Sequence, residues 1–321
     1  MITKSLNNFV RKNFKNININ YIDVGSSLPL NKLAIFFKDQ FNFIFFEPQY
    51  KEFLILNNYL KKIFKSFKVY NSAVSNKKKV NLYLYDRYKL SSVHKLDHKY
   101  KDIYRKIKLE KIKKLKAMKL HQVIKKNKSN DVFFLKIDTQ GHSLPVIKSI
   151  NTQIKNVSCL VVEAEKVPMY KNSFNVSEID LFLRKNDFLE LGRINDYRWS
   201  KNFKNKKFRF LGKEFSHSED RIYIKNIFTT KIKKYDLKLI ILMCVVFDYL
   251  DFADFILKKF NKTLGKQFIL SAKKEIYIKL NENEKFIRNN LDLFYKKRIS
   301  LSHLMQVIDK FSEHFSKKYV F

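Results

Sequence analysis

The stretch Tyr21-Ile22-Asp23-Val24-Gly25-Ser26-Ser27 constrains the fold more than any other part of the chain. Apolar residues (Ile17, Ile19, Tyr21, Ile22, Val24) lead into an acid and a glycine, and amphipathic sequence follows from Leu28. Strand, tight turn and helix in that order open an α/β sheet, in which ligands sit beyond the carboxyl ends of the strands. A second apolar run, Phe43-Ile44-Phe45-Phe46, ends in Glu47-Pro48, and Glu47 lies 24 positions after Asp23. An acid at the end of a second strand, at that distance, can accept hydrogen bonds from ribose hydroxyls. The plainer reading is an ordinary strand-helix turn with a surface acid nearby.

The turn also says which nucleoside cofactor to expect. Binding a dinucleotide pyrophosphate takes several glycines, so that backbone amides can approach the phosphates. Here Gly25 stands alone before Ser26, Ser27, Leu28 and Pro29, and no P-loop lysine pattern occurs in the chain. A cofactor with a ribose and no phosphate fits better, and S-adenosylmethionine is the common one.

The same alternation continues along the chain. Residues 50–64 have helical apolar spacing (Phe53, Leu56, Leu60, Phe64), and residues 68–75 and 81–85 read as strands. Residues 87–130 form an insertion with a polar Ser91-Ser92 loop. Its lysine-rich part, residues 99–116, has weak helical periodicity and reads as an inserted helix, a lid or a solvated surface segment. Val132 to Ile137 is a buried strand ending in Asp138-Thr139-Gln140-Gly141, and Val157 to Val162 is another, ending in Glu163. Phe188–Leu191 and Arg221–Lys225 are late strands that could supply an antiparallel edge. From about Lys231 only helical spacing remains, through residues 239–257, 276–293 and 301–315. The expected organisation is an N-terminal helix over residues 1–18, an α/β domain over 19–228 with its insertion at 87–130, and an all-helical C-terminal extension over 229–321.

Composition narrows the function classes. The net charge of +36 suggests an anionic partner, nucleic acid or membrane surface. Lysine is spread over every segment, however, and the excess of Lys, Asn, Ile and Phe is that of an A/T-rich coding sequence, which favours solvated faces over a binding stripe. Cys159 and Cys244 lie in apolar runs, so both are expected to be reduced and buried, and a disulfide framework is excluded. No Cys/His metal spacing occurs. Residues 1–16 have no continuous apolar core of a signal peptide, and the most apolar run, residues 239–247, is far short of the roughly 20 residues of a spanning helix. A cytoplasmic protein is expected, with a membrane surface as its nearest membrane contact and a homo-oligomer left open.

Four acids at strand ends, Asp23, Glu47, Asp138 and Glu163, are expected to converge on one crevice. Asp23 would meet the amino-acid part of the cofactor, Gly25 would give it room, Glu47 would hold the ribose, and Ser72-Ala73 after the third strand would complete the cofactor set. Asp138 would stand where the methyl group meets its acceptor; as a bare carboxylate at that position it also reads as a helix N-cap. His142 is a candidate proton acceptor, or a surface histidine of the first helical turn, with His94 and His121 behind it. Ser91, Ser92, Glu163 and Tyr170 would face the substrate.

These residues resemble the FkbM-type S-adenosylmethionine-dependent methyltransferases. The resemblance is carried by Asp23-Val24-Gly25, Phe46-Glu47-Pro48, Ser91-Ser92, Lys136-Ile137-Asp138-Thr139-Gln140-Gly141, and Val167-Pro168-Met169-Tyr170 followed by Ile179 to Leu183. The set runs from about residue 19 to 226, with the Lys-Ile-Asp-Thr-Gln-Gly hexapeptide its most specific piece. It implies a Rossmann-like class I methyltransferase sheet, mostly parallel with an antiparallel edge strand, and O-methylation of a hydroxyl on a sugar, a surface glycan or a similar small molecule. The chain departs from the family pattern at Leu120-His121, where Leu-Asp is usual, and at Ser143, where an acid is usual. Two other readings compete: a nucleic-acid methyltransferase, against which the Asp138-Thr139-Gln140-Gly141 strand tip argues, and a binding protein that keeps the fold without catalysis.

Overall fold

A computed structural model describes residues 4–104, 107–124, 130–199, 215–229 and 231–296. After an N-terminal helix α1 (Lys4–Asn13), the chain alternates β1 (Asn18–Val24), α2 (Lys32–Phe36), β2 (Asn42–Phe46), α3 (Tyr50–Ile63) and β3 (Phe67–Tyr70). Next come β4 (Ala73–Val74) and β5 (Lys79–Tyr85), and the insertion at 87–130 contains the short helix α4 (Lys101–Tyr104) and β6 (Leu109–Met118). Then come β7 (Asp131–Ile137), α5 (Ser143–Lys148), β8 (Val157–Glu165), α6 (Val176–Lys185), β9 (Phe188–Trp199) and β10 (Phe215–Lys225). The helical C-terminal extension is α7 (Lys234–Val246), α8 (Leu250–Lys259), α9 (Asn261–Leu264) and α10 (Lys266–Tyr295). Residues 301–315, expected to be helical, lie outside the described residues.

Among the described residues the main sheet has seven strands in the order β3-β2-β1-β7-β8-β10-β9. The first five of these run parallel, and β10 is antiparallel to both β8 and β9. The chain reverses direction across the sheet between β1 and β7. There the strand tips diverge and leave a crevice, the usual ligand position in an open sheet. This is the class I methyltransferase sheet. Helices α5 and α6 cover one face, packed on Ile22, Leu135, Leu160 and Val162. The other face is covered by α1, α2, α3 and α7, packed on Tyr21, Phe43, Phe134 and Val161. Strands buried on both faces need continuous apolar runs, which explains Phe43 to Phe46 and Val132 to Leu135.

The C-terminal extension is therefore joined to the sheet by one hydrophobic core. From Leu239 to Val246 helix α7 is apolar around its whole circumference, as a segment enclosed on every side must be. It carries one buried acid, Asp236, which accepts a hydrogen bond from Ser158 Oγ at 2.5 Å and pairs with Lys225 Nζ at 3.3 Å. Those two partners sit on β8 and β10, so a single carboxylate sets how α7 lies across both strands. Cys159 and Cys244 are buried free thiols in this core, as expected.

The insertion differs from the sequence reading. Residues 68–75 divide between β3 in the main sheet and β4 in a second sheet of order β4-β6-β5. Of the lysine-rich stretch 99–116, residues 101–104 form α4 and residues 109–116 belong to β6, a largely exposed strand paired antiparallel with β5 from Lys79↔Lys116 to Tyr85↔Leu109. Its inward-leaning positions are Lys113, Leu115 and Ala117, a period of two that opens on a lysine. An apolar count misses such a pattern, because the lysine covers the surface with its methylene stem and keeps its charge in water.

Replacing Asp236 by Ala should strand the Lys225 ammonium in the core and cost about 3–5 kcal/mol of stability. Urea unfolding would measure it; a loss below about 1 kcal/mol would mean that Asp236 does not hold α7.

Candidate active site

The crevice at the reversal point is a cavity of about 350 Å³. Its walls come from the tips of β1 (Val24, Gly25), β2 (Phe46, Glu47), β7 (Asp138 to Gln140) and β8 (Glu163). Ser72, Ala73, Ser91, Ser92 and His142 also line it. Nine of the sequence-derived positions thus meet at one place. Asp23 and Tyr170 are not among the lining residues, and each lies just behind the wall.

Asp23 is buried within β1, directly across from Lys136 of β7. Its Oδ1 is 3.8 Å from Lys136 Nζ and has no hydrogen-bond partner. Burial raises its pKa, against the pull of the lysine. The Lys136 ammonium also lies 3.4 Å from Asp138 Oδ2. Burial alone would lower Lys136, but Asp23, Asp138, Asp220 and Glu163 together hold it well above the usual lysine range. Asp138 is 35% exposed at the crevice. Burial opposes its ionisation, yet Lys136 and hydrogen bonds from its neighbours bring it below the ordinary aspartate value. Glu163 goes the other way: burial first, then the charge of Asp138, push it far up. Two adjacent carboxyls are thereby driven in opposite directions.

Gln140 joins them. Its Nε2 donates to Asp138 Oδ1 at 3.0 Å and to Glu163 Oε2 at 2.9 Å, and its Oε1 accepts from the Tyr170 hydroxyl at 3.1 Å. The amide can reach all three because Gln140 adopts φ 51° in the turn after β7. Tyr170 therefore orients Gln140 and does not itself face the cavity. Tyr197 of β9 adds an aromatic wall, its hydroxyl donating to Asp220 Oδ2 of β10 at 3.1 Å. Gln140, Lys136, Tyr197 and Asp220 were not singled out in the sequence. The hexapeptide marked the first two by position; nothing marked the last two, which arrive through the β9–β10 register.

Gly25 has a different reason from the one expected. A Cβ built there would lie 1.8 Å from the Asp138 carbonyl oxygen, and its φ is +84°. The glycine lets the β1 turn pass against the β7 tip, which brings the cofactor-side turn and Asp138 together.

Glu47 is only 5% exposed and accepts one backbone hydrogen bond, from Gln49 N at 2.7 Å. Burial pushes its pKa from the ordinary 4.5 up to about 8, because too few donors replace the lost water.

His142 is 4% exposed and hydrogen-bonded at both ring nitrogens. Nδ1 meets His94 Nε2 at 2.9 Å and Nε2 meets Ser75 Oγ at 3.0 Å. Burial and the neighbouring His94 lower its pKa to about 3, so both rings are neutral and share one proton across the pair. Ser92 Oγ donates to the Gln140 carbonyl at 2.6 Å and accepts from His94 N at 3.0 Å. The histidines and Ser92 thus fasten the insertion onto the strand tip. His121 lies elsewhere, its Nδ1 3.3 Å from the Ser149 carbonyl.

A seven-stranded sheet with this reversal and a carboxylate at each neighbouring tip defines a class I nucleoside-cofactor methyltransferase. The methyltransferase FkbM domain model matches residues 23–190, and the chain belongs to that family. It is an S-adenosylmethionine-dependent methyltransferase. No curated protein matches the chain. Solved structures with a slight likeness include precorrin-6y C5,15-methyltransferase from Geobacter metallireducens GS-15, at 9% identity and TM-score 0.33, covering 68% of this chain and 88% of that one. Magnesium protoporphyrin IX methyltransferase from Synechocystis PCC 6803, with bound cofactor, has 8% identity and TM-score 0.34, covering 69% and 77%. TrmK of M. capricolum with S-adenosylhomocysteine has 11% identity and TM-score 0.33, covering 88% and 97%. Likenesses this slight carry no argument about the chain's substrate.

The raised pKa of Glu47 has a signed consequence for stability. The folded protein holds a proton there between pH 4.5 and about 8 that the unfolded chain has released, so this residue lowers stability progressively as pH rises through that window. Glu47→Gln should therefore raise the melting temperature most at pH 8 and above and little at pH 4.5. A difference independent of pH in thermal unfolding would contradict the burial of an undersolvated carboxyl.

Proposed function

We propose that the enzyme is an O-methyltransferase whose acceptor is a hydroxyl of a sugar, a surface glycan or a similar small molecule. The observation that carries the reading is the setting of Asp138, 35% exposed at the crevice, 3.4 Å from the Lys136 ammonium and held by the Gln140 amide at 3.0 Å. A hydroxyl acceptor must lose its proton as it is methylated, and Asp138 is the crevice group that is both charged and accessible. Glu163 and Gln140 hold Asp138 in place. Further hydroxyl and amide groups on the wall, among them Ser27, Ser91, Ser92 and Gln49, suit an acceptor with several hydroxyls.

The donor set fits S-adenosylmethionine. A buried carboxyl short of donors at Glu47 matches ribose hydroxyls, and the ionised Asp138 matches a cationic sulfonium. Bound there, the cofactor supplies an electrophilic methyl group. Glu47 would hold the ribose, Ser72 and Ala73 the neighbouring part of the nucleoside, and Gly25 the turn beneath it. Asp23 would act at one remove, by fixing Lys136 and so the charge of Asp138. His142 is 4% exposed and engaged at both ring nitrogens, so neither is open to an acceptor hydroxyl. Its proposed part is to anchor the substrate-side Ser91-Ser92 loop.

Two substitutions separate binding from chemistry. Glu47→Ala should weaken cofactor affinity by about 1–3 kcal/mol, roughly tenfold to a hundredfold, in calorimetric titration. Equal affinity would remove the ribose assignment. Asp138→Asn should lower methyl transfer to a hydroxyl acceptor about a hundredfold or more, well beyond any loss of cofactor affinity, measured with labelled cofactor and a panel of sugar acceptors. Undiminished turnover by Asp138→Asn would dismiss it as the proton acceptor.

A further inference from the structure

The edge of the sheet opposite the crevice carries features that methyl transfer does not use. Asn16 and Ile17, which lead into β1, open with residues of α1, α7 and α10 onto a cavity of about 490 Å³. Five lysines line it, Lys12, Lys15, Lys234, Lys238 and Lys266, and no aspartate or glutamate does. Lys238, half-buried, finds only neutral partners: the Asn13 carbonyl at 3.2 Å and the face of the Phe268 ring at 4.6 Å. Burial and the charge of Lys234 both lower its pKa. Among the described residues the cations are thus gathered around a hollow lined by no counter-charge, and an anion seated there would relieve their mutual repulsion.

A second cluster lies on the same edge. Phe228, three residues beyond β10, is 56% exposed, and Phe255 of α8 is 40% exposed. Their rings are 6.0 Å apart, Phe252 stacks on Phe255 at 5.8 Å, and Lys259 Nζ stands 4.6 Å from the Phe228 ring. The strand register places the two clusters together. Asn18 at the start of β1 pairs with Asp131 at the start of β7, Phe133 with Val157 at the start of β8, and Cys159 of β8 with Ile224 near the end of antiparallel β10. The clusters therefore share one edge, about three strand spacings or roughly 15 Å apart across the sheet.

We infer that this edge docks on an anionic lipid bilayer, the lysine cavity taking a lipid phosphate headgroup while Phe228 and Phe255 enter the interfacial region. Lysines meet headgroup phosphates, and exposed aromatic rings gain by leaving water at the interface. A nucleic acid would need open ring faces for base stacking. Here Phe252 stacks on one face of Phe255, and the Lys259 ammonium stands over Phe228 where a base would stack. The seven residues of β1 separate this edge from the crevice by about 23 Å, so a docked enzyme presents its active site away from the bilayer.

Sedimentation of the full chain with vesicles tests this, using phosphatidylcholine alone and phosphatidylcholine mixed with phosphatidylglycerol. The expected result is binding to the mixed vesicles only. The triple variant K12E/K15E/K266E should weaken it about tenfold or more. The triple variant K111E/K114E/K116E, with the same charge change on exposed positions of β6, should weaken it much less. F228S/F255S should reduce the part of the binding that survives in high salt, where charge attraction is screened. Unchanged cofactor affinity in each variant confirms that the crevice remains intact. Equal losses from both lysine triples, indifference to F228S/F255S, no vesicle binding, or binding to nucleic acid in its place would each overturn the inference.

Discussion

The active site depends on one buried ammonium. Lys136 sits on β7 between Asp23 of β1 and Asp138 at its own strand tip. With Glu163 and Asp220 on the next strands, the sheet edge gathers more carboxyls than one lysine can balance, in a place where a bare charge is costly. The lysine draws the Asp138 carboxyl's pKa down, while burial and the charge of Asp138 push that of Glu163 up. The crevice thus presents Asp138 as its partly exposed carboxylate.

The fold supplies this arrangement through packing on both faces. Because α7 closes the face over β7 and β8, those strands lie deep enough for Lys136 and Asp23 to leave water. Among the described residues the extension contributes none to the cavity wall. The Asp138 carbonyl and the turn at Gly25 meet at a separation no other residue would allow, so the two halves of the crevice are held together by backbone.

Much of this could be read in advance, for identifiable reasons. Glu47, Asp138 and Glu163 were visible because strand runs are apolar and acids at their ends stand out, and the crevice follows from where such ends must lie in an open sheet. The structure puts all three on one cavity. The β6 strand was not visible, since lysines occupy positions an apolar count leaves blank. Nor was the role of Gln140, whose amide reaches Asp138, Glu163 and Tyr170 only from a left-handed backbone conformation. Gly25 was correctly placed and differently explained: it answers to a neighbouring strand as well as to the crevice. His142 was marked for chemistry, while its two hydrogen bonds and its burial suit it to fastening a loop.

The sequence by itself determined the order of the main-sheet strands and the helices between them, the acids at the strand tips and the kind of cofactor turn, because periodicity and punctuation are local properties of the chain. Only the tertiary structure decided in which direction each carboxyl's pKa is driven, and what Gln140, Tyr170 and Tyr197 touch. Those depend on burial and on partners far apart in the chain: Asp138 and Asp220 share one electrostatic neighbourhood only because β10 inserts antiparallel between β8 and β9.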